Sequence, residues 1–460
     1  MSTDRSAVVW TRLNNIPRKM GRLYVTDKEC RFTYDSEYLH PNIPESQPGL
    51  GLVYDQEFYG LNTIVRQRSE QFDLLPPIQF LIPPVQEDNF QRNLTLKYLA
   101  SQGKTGLTGF DADWEILLAS GRGGIGHLDV FENDKKAEHW YNHPAPHQLN
   151  EVTDELGFSL KEFMTWFEDD IEILIQTVGP TPSVGGAIPK LLVSIPDTGW
   201  DGRIGPPTRQ SMVGITDVIL KFEQTTRYPG IIELESMALD MYEAAGFDVP
   251  RHWICNFKGM PALAIERFDR DESRAPVFTE TLYSIFASGL QHMVNHYDYS
   301  YDNIASAIDT SAVSIISDIS AGKEHLFRCL IMSLLTGNGD LHLENLSVMI
   351  RDMERAFTPI YDPTPMRAYS QHDMLSVMPF GDYGDIPEGK DEPVSLPDAI
   401  KRFADHCGLS KKQSVEIIEY LLNKTSNYEN LINNLNSVPD ENKERLCNRI
   451  KEIRCVLKDI

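Results

Sequence analysis

Residues 1 to about 75 alternate short strand-like runs, Ala7 to Trp10, Arg22 to Val25 and Arg31 to Tyr34, with turn residues, and a proline-rich loop follows at Pro41 to Pro48. That pattern predicts a small, mostly β unit. Pro76 to Gly103 and Trp114 to Ala119 have helical character, the first beginning after the Pro83-Pro84 break. Leu156 to Ile175 is acidic and amphipathic, with Phe163, Trp166, Phe167, Ile171 and Leu174 on one stripe that core packing explains. Apolar strands are expected at Leu191 to Ile195, Asp217 to Phe222 and Ala262 to Asp269. Between the last two, Leu234, Met237, Ala238, Met241 and Ala245 form a helical stripe stopped by Gly246.

Further on, Leu326, Leu330, Ile331, Leu334 and Leu335 lead into Gly337-Asn338-Gly339, then a strand at Leu346 to Ile350 and a second strand ending at Tyr361-Asp362. The tail reads as helical: Ala399 to His406, Val415 to Leu422, and a last helix after Ser437-Val-Pro-Asp440, taken as a capping box, with Leu446, Ile450, Ile453 and Leu457 on one face. Phe380 to Pro397 is a flexible loop rich in Gly, Pro and acid.

Composition narrows the function classes. With 41% hydrophobic and 24% charged residues in 460, the chain is globular and long enough for two or three domains. Its net charge of -24 repels a phosphate backbone, disfavouring direct nucleic-acid binding and suiting a basic partner. Six scattered cysteines without a C-x-x-C pair read as reduced thiols of a cytoplasmic protein. No stretch has signal-peptide or membrane-spanning length, so no membrane association is expected.

The candidate chemistry is that of phosphoryl transfer. It calls for a carboxylate facing the acceptor hydroxyl, an amide oxygen five residues on for a metal, and a second carboxylate on the next strand. Asp340, Asn345 and Asp362 have that spacing, with Asp340 as base and the other two on magnesium; an ordinary hairpin turn at Asn338-Gly339-Asp340, with Asp362 capping the loop after it, is the alternative. Thr181 to Lys190 is a Gly-rich loop whose small residues let backbone N–H groups approach phosphate oxygens. Lys221 sits on a strongly apolar strand and needs a partner; Glu235 or Glu233 on the following helix is the candidate, against a surface lysine at a strand end. Glu266 to Phe268 stand where a hinge would hydrogen-bond adenine. Gly121 to Gly126 matches G-x-G-x-x-G, but a strand rather than a helix follows, and a tight packing turn explains it. His139, His143 and His147 are spaced for one helical face, yet Pro144 and Pro146 interrupt it, which favours surface loop histidines over a metal site.

Taken in order, Ser183-Val-Gly-Gly-Ala with Lys190, Lys221, the helix with Glu235, Glu266-Arg-Phe-Asp-Arg270, Gly339-Asp-Leu-His-Leu-Glu-Asn345 and Thr358-Pro-Ile-Tyr-Asp362 resemble the HipA family of bacterial toxin-antitoxin kinases. The likeness extends more weakly to Phe72-Asp-Leu-Leu and Gly121 to Val130. It implies an α+β, two-lobed protein-kinase-like fold: an N-terminal subdomain over 1–150, a kinase N-lobe over 151–268 and a helical C-lobe over 269–460. It also implies a serine/threonine kinase toxin using ATP and magnesium. Asp340 would be the catalytic base and Asn345 and Asp362 the metal ligands. Gly185, Gly186, Ala187, Lys190, Lys221, Glu266, Arg267, Phe268, His342 and Tyr361 would surround ATP, and Ser183 would be autophosphorylated, a dianion that would repel ATP phosphates. A HipB-like DNA-binding antitoxin, DNA only through it, and a protein substrate such as an aminoacyl-tRNA synthetase are the implied partners. Two departures stand out: Glu344 replaces the family's usual lysine, and Ile188-Pro189 replace polar residues. An anion near the transferring group loses transition-state stabilisation, so a nucleotide-binding pseudokinase is the alternative, and adenylyl transfer a third reading.

Overall fold

The computed structural model describes residues 4–39, 48–85, 89–143, 147–151, 188–223, 226–257, 259–293, 295–389 and 391–460. The helix expected at Leu156 to Ile175 and the loop residues Ser183, Gly185, Gly186 and Ala187 lie outside them. The chain forms two units. The first comprises Met1–Glu223, Arg251–Glu280 and Ser284–His292; the second comprises Gln224–Pro250, Thr281–Tyr283 and Met293–Ile460.

Among the described residues the first unit contains a short two-stranded sheet, Asn150–Glu151 with Arg203–Ile204, and two large antiparallel sheets. One has the order Ile64–Gln67, Glu29–Tyr34, Arg18–Val25, Arg5–Thr11, Leu128–Phe131, so the alternating N-terminal runs do pair as strands. Its inward residues, among them Val9, Leu23, Phe32 and Ile64, share a core with Leu99, Trp114 and Leu117 of the helices Phe90–Ser101 and Gly109–Ser120. Among the described residues, the proline-bounded stretch before Phe90 supplies only the short helix Pro76–Gln79. The other sheet has the order His252–Phe257, Met260–Glu266, Ile215–Phe222, Lys190–Pro196.

The Gly121 to Gly126 turn is a packing device. Arg267 donates to the carbonyls of Gly123 (3.0 Å) and Gly124 (2.5 Å), and Arg270 to those of Gly124 (2.7 Å) and Gly126 (3.1 Å). The Gly126 N–H in turn donates to Asp269 Oδ2 at 3.0 Å. Gly126 has φ +81°, and a Cβ there would lie 2.9 Å from the Thr279 carbonyl oxygen, so only glycine fits. Burial alone would raise the Asp269 carboxyl, but the Arg267 and Arg270 guanidiniums override it and hold it below the usual range.

The second unit is mostly helical. Ile319–Thr336 is its central helix, capped by Asp318 and buried from Leu326 to Thr336 apart from Arg328. Tyr301–Thr310, Lys411–Lys424 and Asp440–Lys458 pack against it, and Leu446, Ile450, Ile453 and Leu457 form the expected buried stripe. Two local expectations are corrected. The last helix has Pro439 at its N-cap with no side-chain hydrogen bond, and a capping box sits instead at Ser410–Gln413. The strand expected to end at Tyr361-Asp362 is Glu354–Phe357, paired with Ser347–Arg351. Pro359, Pro363 and Pro365 lack the N–H a ladder needs, so pairing stops there. Among the described residues no helix is long and apolar enough to cross a membrane.

Candidate active site

In the first unit, the strand Ile215–Phe222 lies between Lys190–Pro196 and Met260–Glu266, in a register that sets Lys190 opposite Lys221. Alternation sends Leu191, Val193, Ile195, Val218, Leu220 and Phe222 into one core, so both lysines share the other face. They are buried, at 4% and 3% exposure. Like charges directly opposite repel across a ladder, and an anion with several oxygens relieves that repulsion. Leu192, Ile219, Leu263 and Ile265 lie on the same face by register, an apolar floor suited to a flat ring beside a phosphate tail.

The candidate hinge is largely spoken for. Glu266 N–H donates to Arg251 O at 2.8 Å and Arg267 N–H to Asp217 O at 3.0 Å. Arg251 binds the Glu266 carboxylate at 2.7 and 2.8 Å, with Thr216 at 3.0 Å. Partial burial raises that carboxyl, but Arg251 and Thr216 outweigh it and hold it below its ordinary value. The Arg267 guanidinium is spent on the glycine turn and Asp269. A base held by these residues would therefore meet backbone carbonyls and Phe268.

In the second unit, Gly337 closes the central helix with φ +71° and starts the turn. Asn338 Oδ1 accepts from Asp340 N–H at 3.0 Å, and Asn345 Nδ2 donates back to Asp340 O at 2.8 Å, tying the two ends of the hexapeptide together. The amide nitrogen thus serves the loop, and the amide oxygen is the atom that could take a metal. Tyr301 Oη donates to Leu341 O at 2.5 Å, and Tyr361 Oη to Glu344 O at 2.5 Å with Ser347 Oγ 2.6 Å away. Burial pushes both phenols well above their usual range, keeping them neutral donors. Asp362, next to Tyr361, holds φ +54°, a strained backbone for a non-glycine residue. Thr364 Oγ1 lies 3.1 Å from Asp362 Oδ1 and 3.3 Å from Glu235 Oε2. Glu235 therefore stands in the unit of the catalytic-loop candidates, while Lys221 belongs to the other.

Asn345 Oδ1 and the Asp362 carboxylate are hard oxygen donors, the set magnesium takes when phosphates and water complete its shell. The chemistry of the donor set therefore fits the metal. Sequence reasoning missed Thr364, hidden between prolines, and His296 and Tyr297. The His296 ring lies 4.2 Å from that of His342, and Tyr297 meets His342 edge-on at 5.4 Å. The Tyr297 phenol is pushed up to about 12 by burial and then by Asp340 and Glu344.

The family model for the HipA-like C-terminal domain matches residues 182–428, more than half of the chain. The chain belongs to the HipA family. It is 29% identical over 232 residues to a protein named "Putative kinase" from Haemophilus influenzae, a match covering 47% of this chain and 60% of that one. A second relative, "Putative kinase Y4dM" from Sinorhizobium fredii, is 29% identical over 166 residues, covering 34% and 36%. The chain thus spans 60% and 36% of these relatives' lengths. Among solved structures, HipA in a complex with HipB and operator DNA from Shewanella oneidensis MR-1 matches with a TM-score of 0.60 at 16% identity, over 98% of this chain and 97% of that one. The α+β, kinase-like HipA fold is therefore that of this chain.

Proposed function

We propose that this HipA-family chain is an ATP- and magnesium-dependent serine/threonine protein kinase acting as the toxin of a toxin-antitoxin pair. The observation that carries the reading is the closed turn in which Asn345 holds Asp340, with Asp362 strained into place beside Tyr361. In this mechanism Asp340 takes the proton of a serine or threonine hydroxyl as that oxygen bonds to the γ-phosphorus. The bond to the β–γ bridging oxygen breaks, and ADP leaves. Asn345 and Asp362 would hold magnesium, which neutralises phosphate charge when bound. Lys190 and Lys221 grip the phosphates, assisted by the N–H groups of Gly185, Gly186 and Ala187. Carbonyls of Glu266 and Arg267 with Phe268 receive the base, and His342 and Tyr361 complete its surroundings.

Ser183 is the proposed autophosphorylation site and off switch. The substrate class is a translation-related protein such as an aminoacyl-tRNA synthetase, as the family resemblance suggests. The Shewanella HipA is bound to HipB and operator DNA, and the charge of -24 suits a basic antitoxin of that kind. DNA association is then indirect, and the setting cytoplasmic. Asp340→Ala is expected to abolish both transfer from γ-labelled ATP and growth inhibition; toxicity that survives the substitution refutes the reading. Glu344, whose carboxylate lies 3.5 Å from His296 Nδ1, favours a second reading, a nucleotide-binding pseudokinase. ATP binding with no labelled product would select it.

A further inference from the structure

We infer that His296, His342 and Glu344 form a binding site for a divalent ion of the zinc class, separate from the oxygen donors Asn345 and Asp362. One ligand atom from each of the three lies within 4.8 Å of the other two. His296 Nδ1 lies 3.5 Å from Glu344 Oε1. Zinc bonds of about 2.0–2.2 Å in a tetrahedron put ligand atoms about 3.3 Å apart, so no leg has to close by more than about 1.5 Å, a side-chain adjustment. Two imidazoles with one carboxylate are a borderline-soft donor set that suits zinc and not magnesium, and three protein ligands leave a fourth position for water.

The ligands are brought together from two segments. Leu343 N–H donates to His296 O at 3.3 Å, fixing the incoming segment against the catalytic loop. Tyr283 and Tyr297 wall the His296 ring edge-on, at 5.8 and 4.1 Å. His342 Nδ1 accepts from Glu344 N–H at 3.2 Å, which puts the ring proton of the neutral form on Nε2, 3.8 Å from Asp340 Oδ1. An ion that takes Nδ1 in place of that N–H leaves Nε2 directed at Asp340. At 3.8 Å the two are not hydrogen-bonded; closing that gap would give the carboxylate–histidine–metal arrangement that orients and strengthens an imidazole ligand.

The same ion would draw the Asp340 carboxylate into its outer shell and add positive charge beside it, so zinc should inhibit transfer. That consequence rests on the kinase reading; the binding does not. The test titrates chelator-treated full-length protein with Zn2+ by calorimetry in excess magnesium, and with Co2+ by visible absorption. One ion per chain is expected, with cobalt bands of four-coordinate N/O type. His296→Ala and Glu344→Gln, on different segments, should each weaken binding more than about tenfold, a loss that removing only an outer-shell partner can cause. Asp362→Asn, which the kinase reading makes inactive, should bind zinc like the wild type, so a failed kinase reading leaves this result readable. Wild-type affinity in both ligand variants overturns the site, as does a thiolate-to-cobalt band, which would put the ion on a cysteine. Zinc that binds without slowing an active wild type overturns the inhibitory role.

Discussion

Glu280 couples the stability of the first unit to pH. Its carboxylate is 7% exposed, accepts from Leu52 N–H at 2.8 Å, and lies 2.6 Å from Ser284 Oγ. Burial pushes the carboxyl up from 4.5 to about 7, against the smaller opposing effects of Ser284 and Leu52. Because the folded value lies above the unfolded one, the folded state binds the proton more tightly. The stability from this group is fully present below about pH 4.5 and is lost as the pH rises to about 7. The interval corresponds to about 3 kcal/mol. Glu280→Gln keeps the size and a carbonyl acceptor for Leu52 but cannot ionise. Denaturant unfolding of both proteins between acid and mildly alkaline pH should therefore show a free-energy difference that grows with pH in favour of the variant and levels off above neutrality. A difference that is flat across that range, or that favours the wild type increasingly as pH rises, would refute the argument.

Two further outcomes follow from the first unit's other charged groups. Arg267→Ala leaves Asp269 buried with Arg270 as its remaining guanidinium partner and leaves the Gly123 and Gly124 carbonyls to Arg270 alone among the two arginines. Unfolding measurements should show a loss of about 3–5 kcal/mol, the range for breaking a buried ion pair. Lys221→Met keeps the apolar stem and removes one of two facing ammoniums. Titration with a fluorescent ATP analogue should show affinity falling by about 1.5–3 kcal/mol, the worth of a charged hydrogen bond; an unchanged Kd would mean the lysine does not touch phosphate.

Much of this was legible in the sequence because the signals are local. The apolar alternation around Lys221 and the helical run before Gly337 fixed their elements, whereas the hydrogen bond by which Asn345 Nδ2 holds Asp340 O is not visible in the spacing, which reads the two only as base and metal ligand. The strand after Met353 was overextended because the apolar pattern continues through Ile360, while the prolines that end its pairing act through missing donors. The last helix starts where expected, but its capping box is absent: Ser437 N–H bonds Glu233 Oε2, a partner 204 positions away, rather than building a local cap. Distance along the chain also hid what Arg267 does: its carbonyl partners lie 143 and 144 residues earlier, so a hinge residue and a glycine turn read as unrelated motifs. His296 gave no signal either, since only folding sets it beside His342.

The proposed centre of Asp340, Asn345 and Asp362 is tested most directly by the intact mass of the purified chain after incubation with magnesium and ATP. The account predicts the gain of one phosphate, mapped to Ser183, in the wild type and none in Asp340→Ala. An unmodified wild type, or equal gain in the two proteins, would contradict it.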